Sequence, residues 1–339
     1  MVDVFLSFDT EDPIHPESDD ALLRLCRTLS EAGVPGNFFM VGEKARLLRE
    51  RGRRDVLAAL AEHEVDYHGN WWFEFPDNAM EYGDELSWDE AIDYGTRIEL
   101  SGLHDVAEIT GQWPTAWVQH QNNVAAIMPE LFRRLGVRVW NGGFGSGPLA
   151  GWLMDQLVIT RHGHVMDLQG SWATRDHDPL RPLPSEVVMD PEQEFRAFQQ
   201  RFEQVAAGGV VVPLGHPTCW VMAEWWGWYE WDELCHYHRP RSYPRSRVFR
   251  RVPLRTAADS EAHFAWTRRV CDWLAARSDV NVTTYGELAD RYREPGTRWL
   301  TLEQMDELAA ASAGGPTHLS LGALTLSAAD VLGAFAHLF

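Results

Sequence analysis

Short apolar runs alternate with amphipathic stretches along most of the chain. The run 4–8 has the pattern of a buried strand, and the stretch 21–32, which stops at Gly33, has the apolar spacing of a helix. Further strands are predicted at 34–42, 64–68, 115–121, 137–143, 157–160 and 208–218, and further helices at 55–62 and 192–207. This alternation is typical of βα units around a parallel sheet, open or closed. We therefore predict an α/β protein.

Length and composition set the size of the fold. With 339 residues, of which 45% are hydrophobic, the chain can form one barrel of about 250 residues and a small appendage. No apolar run approaches the roughly 20 residues that span a bilayer. The first strand begins almost at Met1, without the basic n-region or the small-residue cleavage site of a signal peptide. We expect a cytoplasmic protein with no membrane partner.

Charge and cysteine content narrow the choice of partners. The formal net charge of −20 argues against nucleic acid, because phosphate binding requires clustered Lys and Arg. The four cysteines show no CxxC spacing, which favours reduced thiols. A basic loop at 239–255 can pair with acidic surface of its own chain or of a second copy, so the sequence leaves a homo-oligomer open.

Carboxylates gather where the first strand ends. Period two places Asp9 and Glu11 on the same face as Phe5 and Ser7. Two like charges in one place are unfavourable unless a cation, a hydrogen-bond network or a shared proton compensates them. The pattern indicates a metal or acid–base site. The alternative is a turn and N-cap cluster for the helix that follows.

Histidines follow other predicted strands. His68 and His216 each stand at the end of an apolar strand, and the carboxyl ends of parallel strands line the site in α/β folds. A lone histidine is more often a core residue than a ligand, so their position relative to Asp9 is what singles them out. His162 and His164 follow another strand and form a weaker candidate metal pair.

Tryptophan is unusually common, with 16 residues in the chain. Aromatic faces stack on sugars and on ring-bearing ligands, although part of such a set packs the core. The long segment 71–102 has the character of a lid or binding loop. The aromatic segment 220–237 is expected to form a cap or interface beside the site, or else to pack a loop or a dimer contact. The candidate substrate-binding residues are Trp71, Trp72, Trp117, Gln119 and Trp220.

Five short segments occur in an order and spacing that resemble one protein family. They are Ser-Phe-Asp-Thr-Glu-Asp at 7–12, Asn-Phe-Phe at 37–39, His-Glu-Val-Asp-Tyr-His at 63–68, Gly-His-Pro-Thr at 215–218 and Val-Asn-Val-Thr-Thr-Tyr-Gly-Glu-Leu at 280–288. Together they resemble the polysaccharide deacetylases of the NodB-homology group, carbohydrate esterase family 4. The resemblance covers roughly residues 1–293. It implies a distorted (β/α)7 barrel, here over residues 1–295, followed by a small C-terminal helical appendage over 296–339.

The resemblance also implies a reaction and a set of roles. The family hydrolyses N-acyl groups with a divalent metal, for which zinc is the expected ion. By position, Asp9 matches the general base and His216 the general acid. Glu11 matches the acidic metal ligand, with Asp12 as the alternative, and His68 matches the first metal histidine.

Two departures from the family pattern bear on this assignment. Trp72 stands at the position of the second metal histidine, and an indole has no lone pair for a metal. The segment 117–121 lacks the arginine that orients the base in the family. A catalytic zinc normally keeps three protein ligands, so the site needs a substitute. His120 is the first candidate, and those less favoured are Asp66, His162 and His164.

Three functions remain open from the sequence. The first is a metal-assisted amidohydrolase that removes an acyl or formyl group from a small or sugar-like amine. The second is a metal-free descendant that uses Asp9, His68 and His216 for other acid–base chemistry in a biosynthetic pathway. The third is a non-catalytic carbohydrate-binding protein. The first is favoured because the base and acid positions are both kept.

The last part of the chain differs in composition from the rest. Thr301 is predicted to begin a helix, 317–321 a short strand, and Ser327 a final helix. About 40 residues are too few for a secure core of their own. We expect this segment to dock on the barrel or on another subunit, without a catalytic role.

Overall fold

The body of the protein is a mainly parallel sheet. Helices connect many of its strands along the chain. The computed structural model describes residues 1–71, 86–119, 124–125, 127–143, 150–153, 156–160, 165–168, 190–206, 209–223, 251–292, 318–321 and 324–327. The first strands are β1 Val2–Val4, β2 Ser7–Thr10, β3 Asn37–Met40, β4 Glu64–Tyr67, β5 Ala116–Trp117, β6 Val124–Ala125 and β7 Val139–Gly143. The later strands are β8 Ala150–Leu153, β9 Gln156–Thr160, β10 Val165–Asp167, β11 Val210–Gly215, β12 Val280–Val282, β13 His318–Leu321 and β14 Leu324–Ser327.

The helices follow the strands in the alternation that the sequence predicts. They are α1 Glu17–Ala32, α2 Gly42–Glu50, α3 Arg54–Leu60, α4 Trp88–Thr110, α5 Met128–Arg134, α6 Pro191–Ala206, α7 Ala257–Ala275 and α8 Tyr285–Arg291. A 3-10 turn over Pro217–Trp220 follows β11. Helix α1 ends at Gly33 in the left-handed conformation (φ 71°), as the sequence indicates.

The strand order is that of a curved α/β sheet. Along the main path it runs β12-β1-β11-β2-β3-β4-β5-β7-β9-β8, and β10 pairs with β11 outside this path. Neighbours on the path are parallel except for β8 and β9, which are antiparallel. Within the described residues, β9 and β10 do not pair, so this stretch of the barrel wall is open. The predicted α/β barrel class is confirmed.

Two apolar clusters lie on the two faces of the sheet. Phe5 belongs to the cluster inside the barrel, whereas Leu6 and Phe8 belong to the larger cluster between sheet and helices. Ser7 also points inward, because its Oγ lies 2.9 Å from the hydroxyl of the interior Tyr285. The opening segment therefore alternates as its sequence predicts, and this phase directs Asp9 toward the barrel interior.

A close helix contact supports the segment that follows β4. A Cβ atom on Gly42 of α2 would lie 2.7 Å from the Cα atom of Gly102 in α4. A Cβ atom on Gly102 would in turn overlap Tyr67 and Asn70. Only glycine allows the two helices to approach this closely, so Asn70 is held between them just after His68.

The C-terminal segment contributes a β-hairpin. Strands β13 and β14 are antiparallel, and β13 pairs in parallel with β6. The strand predicted at 317–321 is thus present, and it joins residues 124–125 of the same chain. The helices predicted from Thr301 and after Ser327 lie outside the described residues. No helix among the described segments combines the length and apolarity needed to cross a membrane.

Candidate active site

The carboxyl end of β2 places two acidic side chains inside the barrel. Asp9 lies in β2 and Glu11 follows one residue after it. Strands β3 and β11 flank β2 in parallel register and fix its position. Only 4% of Asp9 and 6% of Glu11 is exposed, so both carboxylates are almost removed from water. Such burial requires compensating positive charge or hydrogen bonds nearby.

Two histidines that follow other strands of the same sheet provide that compensation. His68 follows β4, and its Nε2 atom lies 3.2 Å from Oε2 of Glu11 and 3.9 Å from Oδ2 of Asp9. His216 follows β11, and its Nε2 atom lies 3.7 Å from Oδ2 of Asp9 and 3.7 Å from Oε1 of Glu11. The His216 side chain is 15% exposed and His68 only 2%, so His216 lies nearer to solvent.

The orientation of His68 is set from behind by the backbone. Its Nδ1 atom donates a hydrogen bond to the carbonyl oxygen of Val118 at 3.0 Å, because a carbonyl can only accept. This bond turns Nε2 toward Glu11. Burial lowers the pKa of His68, but the charge of Asp9 and the hydrogen bond and charge of Glu11 outweigh burial, so the net effect raises the pKa.

Asp12, the alternative acidic ligand, is occupied elsewhere. Its carboxylate accepts hydrogen bonds from the backbone N–H groups of Ile14 at 2.8 Å and His15 at 3.1 Å. It also accepts from Nδ1 of His15 at 3.1 Å, while Nε2 of His15 accepts from the N–H of Val252 at 3.0 Å. The Asp12 alternative is therefore wrong for this chain, and Glu11 is the acidic residue that reaches the site.

A buried lysine holds the turn that carries Glu11 and Asp12. Lys44 of α2 is 1% exposed and donates to the carbonyl of Asp12 at 2.7 Å, to Oγ of Ser18 at 2.7 Å and to Oδ1 of Asp19 at 2.6 Å. Burial lowers the pKa of Lys44, and the charges of Asp19 and Asp12 oppose this shift. The bonds fix the backbone just after the candidate base.

Asp66 lies in the layer beneath the site. Its Oδ1 atom accepts from the N–H groups of Thr115 at 3.0 Å and Ala116 at 2.7 Å, which ties β4 to the start of β5. Burial and the neighbouring Glu64 raise its pKa well above the ordinary value. Oδ1 of Asp66 is engaged by the backbone of 115–116 and the residue lies one layer below Glu11 and His68, so the structure does not favour it as the missing metal ligand.

The tryptophans near the site are mostly core residues. Trp117 is fully buried, stacks on Trp140 with ring centroids 5.2 Å apart and donates to Gln156 at 3.1 Å. Trp220 is also fully buried and donates to Thr267 at 2.9 Å. The expectation that Trp117 and Trp220 contact substrate is therefore wrong, because period two turns Trp117 toward the helices.

Gln119 and Trp71 have different environments. Gln119, expected at the substrate, is 2% exposed; its amide accepts from Trp140 at 2.9 Å and donates to the carbonyl of Gly142 at 2.9 Å. That expectation is corrected, since both of its amide atoms bind the neighbouring strand. Trp71 is 36% exposed and covers the Arg46 guanidinium at 4.3 Å, so it alone of the described aromatic candidates offers surface to a ligand.

Several sequence candidates lie outside the described residues, namely Trp72, His120, His162 and His164. Within the described ranges, no group of three or more His, Cys, Asp or Glu side chains is arranged as a metal site. One further polar residue was missed by sequence reasoning. Asn141 is fully buried, two residues after the interior Val139, and this spacing is the signal that could have found it.

Known proteins share this architecture without close sequence similarity. No protein-family model matches the chain, and no curated protein matches it in sequence. A protein assigned as a polysaccharide deacetylase from Mycobacterium smegmatis superposes with a TM-score of 0.53 at 17% identity, covering 88% of this chain and 93% of its own. Another so assigned, from Pseudomonas aeruginosa PAO1, gives 0.54 at 15%, covering 86% and 90%.

A third similar structure is that of a protein named for a different enzyme activity. The Puue allantoinase superposes with a TM-score of 0.53 at 13% identity, covering 86% of this chain and 90% of its own. The chain has the polysaccharide deacetylase fold. This fold confirms the barrel that the sequence resemblance implied. Because one fold hosts more than one chemistry, the fold does not specify the reaction.

Proposed function

We propose that this protein hydrolyses the amide C–N bond of an N-acylated or N-formylated small or sugar-like amine. The observation that carries the proposal is the convergence of Asp9, Glu11, His68 and His216 at the carboxyl ends of β2, β4 and β11. Two buried carboxylates and two imidazoles within hydrogen-bonding or ion-pairing range form an acid–base set. Their burial favours a small substrate over an extended polymer.

Glu11 and His68 fit a divalent metal. Their Oε2 and Nε2 atoms lie 3.2 Å apart, and the Val118 carbonyl fixes the tautomer that leaves Nε2 for a ligand bond. A bound metal would polarise the amide carbonyl and acidify a water molecule. The described residues supply two ligands, and His120 is the residue we propose as the third. Zinc is the ion that this donor set favours.

Asp9 and His216 divide the proton transfers. Asp9 lies beside both histidines and takes a proton from the attacking water as its oxygen bonds to the acyl carbon. His216, which lies nearer to solvent, gives a proton from Nε2 to the departing nitrogen as the C–N bond breaks. The products are the carboxylic acid and the free amine.

A second candidate function uses the same residues without a metal. The raised pKa of His68 favours an imidazolium that pairs with Glu11 and Asp9. The imidazolium offsets one of the two buried negative charges without a metal, which supports acid–base chemistry of another kind. A carbohydrate-binding protein is less well supported, because Trp117 and Trp220, two of its proposed stacking surfaces, are core residues.

The test is hydrolysis of a panel of N-acetyl and N-formyl amines, followed by the release of free amine. The protein is assayed as purified, after chelation, and after zinc is returned. We expect activity that chelation removes and zinc restores, and that is lost in Glu11→Gln and His68→Ala but kept in His104→Ala, an exposed histidine of α4. Activity that survives chelation and Glu11→Gln would support the metal-free function.

A further inference from the structure

Asn141 carries an unusual feature for a fully buried side chain. Neither its Nδ2 nor its Oδ1 atom has a hydrogen-bond partner in the described structure. A buried amide that forgoes its hydrogen bonds costs stability, and native proteins keep such groups where another requirement outweighs the cost. Asn37 shows the usual situation, because its amide bonds the carbonyls of Leu6 and Thr283 and the N–H of Tyr285.

The strand register places Asn141 level with His68. Tyr67 pairs with Trp117, and Trp117 pairs with Trp140. One residue further along each strand, His68, Val118 and Asn141 therefore form a row across β4, β5 and β7. Two strand spacings, or about 10 Å, separate the backbones of His68 and Asn141. A small ligand between the two side chains can contact both.

The backbone around Asn141 is built to aim its side chain inward. The pairing of β7 with β9 shifts register between Asn141 and Gly143, the mark of a bulge. Bulges next to active sites re-aim a side chain. From the outer face, the Gln119 amide bonds Trp140 and Gly142, the residues on either side of Asn141. A Cβ atom on Gly142 would overlap this amide, so glycine is required there.

We propose that Asn141 is a substrate-positioning residue whose side-chain amide pairs with an amide group of the ligand. The Asn141 Nδ2 donates to the ligand carbonyl or its Oδ1 accepts from the ligand N–H, and a ligand with both groups on one edge, such as a primary amide, engages both. The inference rests on the proposed function and deepens it, because an N-acyl substrate carries a carbonyl and an N–H, and its trans amide can turn one of them toward Asn141. It also explains why the outward-facing Gln119 is held so firmly.

The first experiment measures thermal stability without any ligand. Asn141→Leu removes an amide that bonds nothing, so we expect its melting temperature to rise by about 2–4 °C. Asn37→Leu is the matched control, a fully buried asparagine whose loss removes the side-chain hydrogen bonds to the Thr283 carbonyl and the Tyr285 N–H; the Leu6 carbonyl keeps its bond from the backbone N–H of residue 37. It should fall in melting temperature. A decrease of similar size in Asn141→Leu would overturn the proposal, because it would show that the amide is structurally engaged.

The second experiment uses acetamide as the probe and nitrogen-15 NMR as the readout. The Asn141 side-chain resonance is assigned by its absence in Asn141→Leu. We expect acetamide to shift this resonance in the wild type and to bind Asn141→Leu about tenfold more weakly, the effect of one or two lost hydrogen bonds. Acetone, which offers a carbonyl but no N–H, should depend less on Asn141.

Different results would contradict the hydrolytic function and the amide-binding role of Asn141. If acetamide shifts the Asn141 resonance but no amide in the panel is hydrolysed, the hydrolytic function is wrong and the amide subsite stands. If amides are hydrolysed while Asn141→Leu leaves both acetamide affinity and the KM for the best amide unchanged, the subsite is wrong and the function stands. Absence of acetamide binding to the wild type also overturns the subsite.

Discussion

His68 donates a hydrogen bond from Nδ1 to the carbonyl oxygen of Val118 at 3.0 Å, so the strand next to β4 sets which nitrogen of the imidazole faces the carboxylates. The bond links two strands at the level of the site. It also makes His68 ready to act either as a metal ligand or as an imidazolium, because both uses need Nε2 directed at Glu11. The two candidate functions use the same arrangement of side chains and differ in whether a metal ion is bound.

Metal content separates those functions directly. We expect elemental analysis of purified protein to find a divalent metal near stoichiometry, and His68→Ala and Glu11→Gln each to lose most of it. His104→Ala should retain the metal. This control shows that metal loss in His68→Ala does not follow from the removal of just any histidine. If the protein binds no metal even after zinc is added, the metal-free function would be favoured.

The candidate base and acid should control turnover without controlling folding. Asp9→Asn and His216→Ala are each expected to lower kcat by about 10²–10⁴-fold, the usual effect of losing a general base or acid. Steady-state kinetics measures the loss, and circular dichroism checks that the fold is kept. Wild-type kcat in either variant would remove that residue from its role.

Lys44 should matter for stability more than surface ion pairs do. Lys44→Met leaves Asp19 with less positive charge around it and frees the Asp12 carbonyl, so we expect a loss of about 3 kcal/mol in the free energy of unfolding. Arg24→Met breaks an exposed pair with Glu261 and should cost less than about 1 kcal/mol. Chemical denaturation compares the two, and equal losses would contradict a special role for Lys44.

His263 should make the fold sensitive to acid. Burial, helped by the charge of Arg255, lowers its pKa from 6.5 to about 2. Because the folded pKa lies below the unfolded one, the neutral ring contributes stability that is complete above pH 6.5 and is lost as the pH falls toward 2. We expect a loss of up to about 1.4 kcal/mol per pH unit below the unfolded pKa.

The measurement for His263 is the free energy of unfolding between neutral and mildly acidic pH. Carboxylates also titrate in this range, so the informative quantity is the difference in slope between wild type and His263→Gln. The variant should show the shallower dependence on pH. His104→Gln, on an exposed face of α4, should follow the wild type. Identical slopes for wild type and His263→Gln would show that His263 can be protonated in the folded state.

Gly142 and Gln119 should be energetically coupled. Gly142→Ala places a methyl group against the Gln119 amide, so we expect clear destabilisation and weaker amide hydrolysis. Gln119→Ala removes the obstacle, and the double variant should be less destabilised than the sum of the single variants. If the losses in the free energy of unfolding are additive, the contact between Gly142 and the Gln119 amide does not hold β7 in place.

Local patterns predicted much of the fold. The alternation of apolar runs indicated βα units, and period two put Asp9 and Glu11 on the inward face. The histidines at strand ends could be ranked because parallel strands present their carboxyl ends on one edge. Both features depend only on the direction of a strand and on which of its residues face inward, and the residues of the strand itself determine these.

The incorrect assignments fell on residues whose hydrogen-bond partners or strand face cannot be derived from the period of a strand alone. Asp12 shares a sequence cluster with Glu11, yet His15 and the turn backbone bind its carboxylate. Trp117 and Gln119 follow a strand into the site, but the face they occupy is fixed by the register with β7. The spacing from Val139 could have placed Asn141 on the inward face, but that its side-chain amide has no hydrogen-bond partner among the described residues is seen only in the structure.

The parallel pairing of β13 with β6 has a consequence for how the protein is made. Residues 124–125 have 319–320 as their described strand partner, so 319 − 124 = 195 positions of sequence separate the two strands. A ribosome releases β6 long before β13, so β6 cannot form this pairing until residues 319–320 have been made. Chains that terminate before residue 319 would lack the pairing.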